Sequence, residues 1–368
     1  LRHRLSEHDE AVAELERALE IWAAAGDKTG EASATANLAS VYTDMGRLGM
    51  AKEGFSRAVA LARETGDRRM EGSATNNLGI VYRHLGRFAE TKEHYERALA
   101  IARDIGDRRG EAVALGNLGI VYKNLGLFAK SREHFRADLE LSREIGDRRS
   151  EAITLVNLGP HEARLGDPAA AVEALEESLA VSHEIGARRI VGYGLHAQGN
   201  LAVAQGDHAL ARRRFEDALA VRREIGYPSG IAQTLLRLGR VAAEEGKGDE
   251  AARHFDEGLA LAREVDSPEA VTAATVDRTL AAGGDVAAAL EAFAEHEPWL
   301  GAEDKMEMRF ILWKVTGDRT HLEAAHELLQ FMRDHAPEEC REPMVENYPL
   351  HRDIVRAWEA AGQDRGAG

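Results

Sequence analysis

Residues 67–106 read DRRMEGSATNNLGIVYRHLGRFAETKEHYERALAIARDIG, and residues 107–146 read DRRGEAVALGNLGIVYKNLGLFAKSREHFRADLELSREIG. The second stretch repeats the first at a spacing of 40. Working outward, glycines recur at 26, 66, 106, 146, 186 and 226, and a second series falls at 46, 86, 126, 166, 206 and 246. Such a period is the mark of stacked supersecondary units, each too small to bury its apolar face alone. Between glycines the apolar residues have helical spacing. Leu78, Val81, Tyr82 and Leu85 form one stripe, and Phe88, Tyr95, Ala98, Leu99 and Ala102 form the next. Each glycine suits a left-handed helix end, and the Asp at 27, 67, 107 and 147 is placed to cap the helix that follows. Each unit is therefore an antiparallel helix pair. No segment alternates with period two, so a propeller of four-stranded blades is excluded.

The columns of the repeat identify it. First helices carry Leu38/78/118/158, then Ala39 or Gly79/119/159, then Tyr42/82/122. Second helices carry Ala51/171/211/251, then Phe55, Tyr95, Phe135, Phe215 and Phe255, then Ala58/98/218. The small residues let the helices of a pair approach, and the aromatics are expected to fill the space between neighbouring pairs. This pattern resembles the tetratricopeptide repeat, with its Leu-Gly-x-x-Tyr and Ala-x-x-x-Phe-x-x-Ala signatures. The 40-residue unit and its Gly-Asp-Arg boundary are similar to the long-repeat branch, which includes the Pins/LGN adaptors, kinesin light chains and bacterial regulators. The resemblance implies an all-α fold, a right-handed superhelix of helix pairs with the first helices lining a concave groove.

Residues 1–26 are expected to be the remnant of a truncated first repeat, with 8–25 as its second helix and Leu1–Leu5 left from its partner. The chain is thus expected to begin inside a longer protein or array. Six pairs span 27–266. Residues 267–368 lose the period but keep helical stretches near 268–282, 286–297, 303–316, 319–335 and 350–361, read as degenerate repeats and a C-terminal cap. Pro337, Pro343 and Pro349 bound an irregular connector. Pro160, inside a first helix, is expected to kink it.

The 368 residues hold 63 acidic and 47 basic side chains, a formal charge of −16. That balance disfavours nucleic acid as the main partner. No run of about 18 apolar residues is present to span a membrane. The single cysteine, Cys340, excludes a disulfide framework and fits a reducing, cytoplasmic setting. Metalloprotease, phosphate-loop and nucleophile-elbow motifs are absent. Gly192-Tyr193-Gly194 lacks a third glycine, and Gly246-Lys247-Gly248 falls in a turn. His94 and His134 hold equivalent positions on neighbouring second helices, where a metal is the minor reading and a partly exposed repeat position the main one. Nothing argues for an enzyme, and no cofactor is expected.

Binding is what a solenoid offers. The groove stripe is Ser73, Asn77, Ile80 and His84 in one unit, Val113, Asn117, Ile120 and Asn124 in the next, then Ile153, Asn157, Pro160 and Arg164, with Arg83 and Lys123 beside it. Asn37 continues the asparagine column, and Asn76 and Asn200 add to it. An amide offers donors and an acceptor, so such a row can hold a peptide backbone of any sequence. The alternative is that each Asn bonds the backbone of its own repeat. First helices with their leading turns sum to +2, second helices to −10 and the tail from 267 to −10. A neutral-to-basic groove in an acidic body suits an extended, acidic peptide. Arginines at 68/69, 108/109, 148/149 and 188/189 contribute to that count, but they are equally placed to pair with Glu71, Glu111 or Glu151. A carboxylate clamp is disfavoured, because Ser33, Ser73, Val113 and Ile153 stand where such clamps carry Lys. The expected function is a protein-interaction scaffold. The alternative is a regulatory or small-ligand sensor segment of a larger bacterial signalling protein. Self-association through uncapped ends is a further possibility.

Overall fold

Gly66 ends its helix at φ 72°, its N–H bonding the Arg63 carbonyl at 3.2 Å while the Asp67 N–H reaches Ala62 at 2.9 Å. This left-handed closure satisfies carbonyls that the helix leaves open. The Asp67 carboxylate then accepts from the Met70 N–H at 2.9 Å and starts the next helix. Both glycine series, 26 to 226 and 46 to 246, have positive φ, and Gly317 repeats the device at 71°.

The computed structural model describes residues 2–264, 268–282 and 285–363. The punctuation yields α1 (Arg2–Ala25), α2 (Lys28–Asp44), α3 (Leu48–Thr65), α4 (Arg68–His84), α5 (Phe88–Asp104), α6 (Arg108–Asn124), α7 (Phe128–Glu144), α8 (Arg148–Arg164), α9 (Pro168–Glu184), α10 (Arg188–Ala204), α11 (His208–Glu224), α12 (Pro228–Glu244) and α13 (Gly248–Glu264). The tail adds α14 (Pro268–Ala282), α15 (Val286–His296), α16 (Ala302–Thr316), α17 (Arg319–Asp334), α18 (Arg341–Glu346) and α19 (Pro349–Gln363). No strand occurs among the described residues. The fold is an all-α solenoid of helix pairs. No described helix is long and apolar enough to cross a membrane.

Two local expectations, at α1 and at the proline-bounded connector, meet a different structure. α1 is unbroken over Arg2–Ala25, so Arg2–Leu5 extend the same helix rather than forming a partner; Leu1 lies outside the described residues. α8 continues through Pro160 and keeps the 17-residue length of its neighbours. The proline-bounded connector contains a 3₁₀ turn, Glu338–Cys340, followed directly by α18.

The chain divides into two compact units. One holds the residues up to 141 together with 301–303 and 327–353; the other holds 142–300, 304–326 and the residues from 354 on. In the first, pairs close where a ring meets a glycine. A Cβ at Gly79 would lie 2.6 Å from the Tyr95 ring, and one at Gly119 would lie 2.8 Å from Phe135. These aromatics thus pack within a pair. Where the column holds Ala39, the facing residue is Gly54, whose own Cβ would lie 2.7 Å from that of Ala39. The space is conserved by moving the glycine across it.

Successive pairs in this unit are joined by buried carboxylates. Glu71, 3% exposed, accepts from Arg63 Nε at 2.8 Å, from Arg97 Nη2 at 2.7 Å and from Arg68. Glu111 takes Arg103 Nε and Arg108 Nη1, both at 2.8 Å. Three cations around one carboxylate replace the hydration it gives up on burial. The tail segment of the unit packs on the turns within pairs. The Ala89 N–H bonds the His335 carbonyl at 2.7 Å, Lys92 faces Glu339 at 3.5 Å, and Asn347 Nδ2 donates to the Gly126 carbonyl at 3.1 Å.

In the second unit Glu151 repeats the clamp, with Arg143 at 2.9 Å and Arg148 at 2.5 Å. Beyond it the column turns apolar, at Val191 and Ile231. Here Arg222, 1% exposed, fills a position that is Trp22 on α1 and Ala or Ser at 62, 102, 142, 182 and 262. Its Nη1 donates to Gly230 O and Thr234 Oγ1, both at 2.6 Å, and faces His196 Nδ1 at 3.5 Å. Burial, then Arg222 and Arg237, push the His196 imidazole down to about 3. The His196 ring packs on Phe215 at 5.2 Å. α14 continues the stack on α13 and α12, and Trp358 lies flat on His326 at 4.7 Å.

Three outcomes follow for stability. Glu71→Ala lowers stability by about 2 kcal/mol through loss of a threefold-bonded buried carboxylate. Glu31→Ala, which loses one surface arginine, Arg57, costs less than about 1 kcal/mol; urea midpoints for the two variants measure the difference. Gly119→Ala destabilises by about 1–3 kcal/mol despite the better helix propensity of alanine, because Phe135 must move; a raised melting temperature would refute this packing account. The third concerns pH. His196 binds its proton at about 3 when folded and near its ordinary 6.5 when unfolded, so its contribution is complete above about 6.5 and is lost as pH falls from there toward 3. His196→Gln therefore flattens the decline of melting temperature between pH 7 and 4; an unchanged slope counts against it.

Candidate functional site

One 40-residue column of first helices places Asn37 on α2, Asn77 on α4, Asn117 on α6 and Asn157 on α8. Asn37 is exposed, and the other three are half-buried, as is Asn200 on α10. In the first unit Asn117 Nδ2 donates to Asn76 Oδ1 at 2.9 Å. That bond runs between successive pairs and not to the turn of its own repeat. Adjacent first helices thus bring their amides within direct reach. Among the described residues the side chains of Asn77 and Asn157 are engaged by no protein group.

The other groove residues divide. Arg83 is half-buried, and the Tyr95 phenol near it is pushed up to about 12 by burial, against the pull of that cation. His84 is pushed down to about 4 by burial, with Arg83 adding to it, so it is a neutral hydrogen-bonding group near pH 7. Lys123 is half-buried and Arg164 exposed, and both have partners. Asn124 corrects the expectation, since it is 5% exposed and is not presented to a groove. It ends α6 beside the turn at Gly126, which residues 343–347 cover.

The turn arginines take the structural role. Arg68, Arg108 and Arg148 bind Glu71, Glu111 and Glu151; Arg188 pairs with Glu224, and Arg69 approaches Asp107 at 3.7 Å. His94 and His134 each lie on the tyrosine of their own pair, Tyr82 and Tyr122, at 4.9 Å. Their Nδ1 atoms meet the carbonyls of Glu90 and Lys130 at 2.7 and 2.9 Å, so the geometry does not bring them together as ligands.

Sequence reading ended the column at Asn200, and the second unit carries it further. Arg237 occupies the column of Asn77, Asn117 and Asn157 on α12 and is exposed. One helical turn on, Arg240 binds Asp277 through two bonds, 2.9 and 2.7 Å, and Asp277 is 3% exposed. Counting forward by 40 from Asn77 reaches Arg237, so the signal was present; the change of residue type hid it. Chemically these first helices offer amides, neutral imidazoles and fixed guanidiniums. Such groups are able to hydrogen-bond a peptide backbone or a carboxylate.

The comparisons bear on this geometry. A Rap protein complexed with competence and sporulation factor is similar over 96% of this chain and 98% of its own, at 15% identity and a TM-score of 0.56. The Rap conjugation gene regulator of plasmid pLS20, solved with the Phr* peptide, matches over 91% and 97%, at 14% identity and a TM-score of 0.59. The apo quorum sensor NprR from B. thuringiensis matches over 95% and 98%, at 13% and 0.51. These likenesses establish the fold alone. No curated protein matches the sequence. The tetratricopeptide repeat family model matches residues 1–64, 70–144, 111–184, 150–224 and 191–264. With the Gly79–Tyr95 contact, the capped turns and these matches in hand, the chain belongs to the tetratricopeptide repeat family.

Proposed function

We propose that this protein is an interaction scaffold that binds an extended, acidic peptide segment of a partner along the groove of its first helices. The observation that carries the reading is the Asn76–Asn117 bond, which supports a continuous row of amides across successive repeats. Packed helices lie about 8–10 Å apart. An extended, strand-like peptide advances about 3.3 Å per residue, so each repeat meets the backbone once in about three residues, whatever the side chains. The +2 charge of the first helices against −10 for the second favours an acidic occupant. Arg237 adds an exposed guanidinium in the same column. The Rap structures described with Phr* peptide and with competence and sporulation factor lend the reading support by fold.

A regulatory reading, with the chain's own segment acting as the occupant, draws on residues 335–347, which already bond Ala89 and Gly126. Selection of displayed linear peptides separates the two. Acidic, extended peptides enrich on the wild type, and their affinity falls by about a hundredfold in Asn77/Asn117/Asn157→Ala, at about 1 kcal/mol per lost hydrogen bond. Equal affinity in the triple variant sinks the amide-row reading. If nothing enriches on the wild type, the regulatory reading replaces it.

A further inference from the structure

Between α4 and α6 the first unit leaves a recess of about 330 Å³. Its floor is apolar, built from Ala98, Ile101, Ala102 and Ile105 of α5 and the turn after it. Two glycines open it. A Cβ at Gly72 would stand 3.2 Å from Ile101 Cγ2, and one at Gly110 would stand 3.0 Å from the Asp107 carboxylate and 3.4 Å from Ala102 Cβ. Ser73, Asn76 and Val113 also line it, and Ser73 and Val113 belong to the groove stripe. Asn76 is the acceptor of the Asn117 bond. The recess therefore opens beside the amide row.

The repeat provides its own control. The same two columns are both glycine at one other place, Gly192 and Gly230. There the chain fills the space itself: a Cβ at Gly192 would lie 3.2 Å from Arg222 Cγ, and one at Gly230 would lie 3.1 Å from Arg222 Cδ and closer still to the Tyr227 ring. The residues equivalent to Arg222 and Tyr227 at the recess are Ala102 and Asp107. The two-glycine opening is thus retained between α4 and α6 while its internal plug is missing. Elsewhere the columns close with Ala112 and Ser150, or Ala152 and Ile190.

The rim identifies the occupant. Arg68, Arg69 and Arg109 line the rim; Arg68 is held by Glu71 and Asp104, whereas the Arg69 side chain is 75% exposed and approaches Asp107 only at 3.7 Å. A cationic head like that of Arg222 would meet like charge here. We infer that the recess between α4 and α6 is a specificity pocket for one large apolar side chain of the bound peptide, with an acidic side chain two residues away held by the arginine rim. The two-residue spacing follows from the extended chain, whose side chains return to the same face at every second position. This rests on the groove reading and deepens it.

The test uses the full chain and displayed linear peptides. Ala102→Met supplies a neutral plug from the position where Arg222 fills the equivalent space. Gly72→Ala gives a smaller intrusion, and circular dichroism and thermal melting check that both variants fold. On the wild type, selected peptides carry a large apolar residue with Asp or Glu two positions away. On Ala102→Met the apolar preference disappears, the acidic preference stays, and a wild-type-selected peptide binds about tenfold more weakly or worse. Gly72→Ala gives a smaller loss in the same direction. Unchanged preference and affinity in folded variants overturn the pocket while leaving the groove intact, provided that binding still depends on Asn77, Asn117 and Asn157. If no peptide enriches on the wild type, the groove reading falls and takes the pocket with it. Loss of binding on amidating the peptide C-terminus overturns the side-chain carboxylate in favour of a terminal one.

Discussion

A ring pressed against a residue without a side chain is the contact on which this protein depends. Tyr95 against Gly79 and Phe135 against Gly119 bring two helix backbones close enough for one aromatic to fill the gap between them. A fully buried ring of that size contributes about 2–3 kcal/mol. The larger effect is geometric. With the interhelix distance fixed in each pair, turns that end in the same glycine and start from the same aspartate carry that geometry to the next pair. The Ala39–Gly54 exchange makes the point, because what persists is the available volume and not the residue at either position.

The sequence was most legible where one residue does one local job. A left-handed helix end needs glycine, and a helix start needs an acceptor, so both series of turns and the bounds of most helices can be read at sight. Legibility failed where a side chain serves a partner remote in sequence. Nothing adjacent to Asn124 or Gly126 announces that Asn347 will cover that turn. Arg237 was obscured for a different reason. A column defined by asparagine conceals an arginine that performs a related task with charge in place of an amide.

Two chemistries join the pairs. Through Glu71, Glu111 and Glu151 a carboxylate is taken out of water and given several arginines, which fixes register between neighbours. From α10 onward the carboxylate gives way to Val191 and Ile231, and the buried cation Arg222 is served by a carbonyl, a hydroxyl and a neutral imidazole. Glycines that are harmless in the first chemistry become necessary in the second, since only they leave room for the Arg222 stem. The same pair of glycines between α4 and α6 has no such stem to house.

The tail segment carries a consequence for how this molecule is made. A repeat array whose units touch only their neighbours can be assembled in the order in which it emerges from the ribosome. Here Ala89 and the Gly126 carbonyl receive their partners from residues 335 and 347, and 221 positions separate Gly126 from Asn347. During synthesis α4 to α7 hold together on local contacts alone, with the surface around Gly86 and Gly126 open to water. Closing a loop of that length is entropically unfavourable by only a little more than closing a short one. The wait is therefore kinetic, and it gives nascent α4 to α7 a period in which a chaperone or a second nascent chain meets a surface that the finished protein no longer offers.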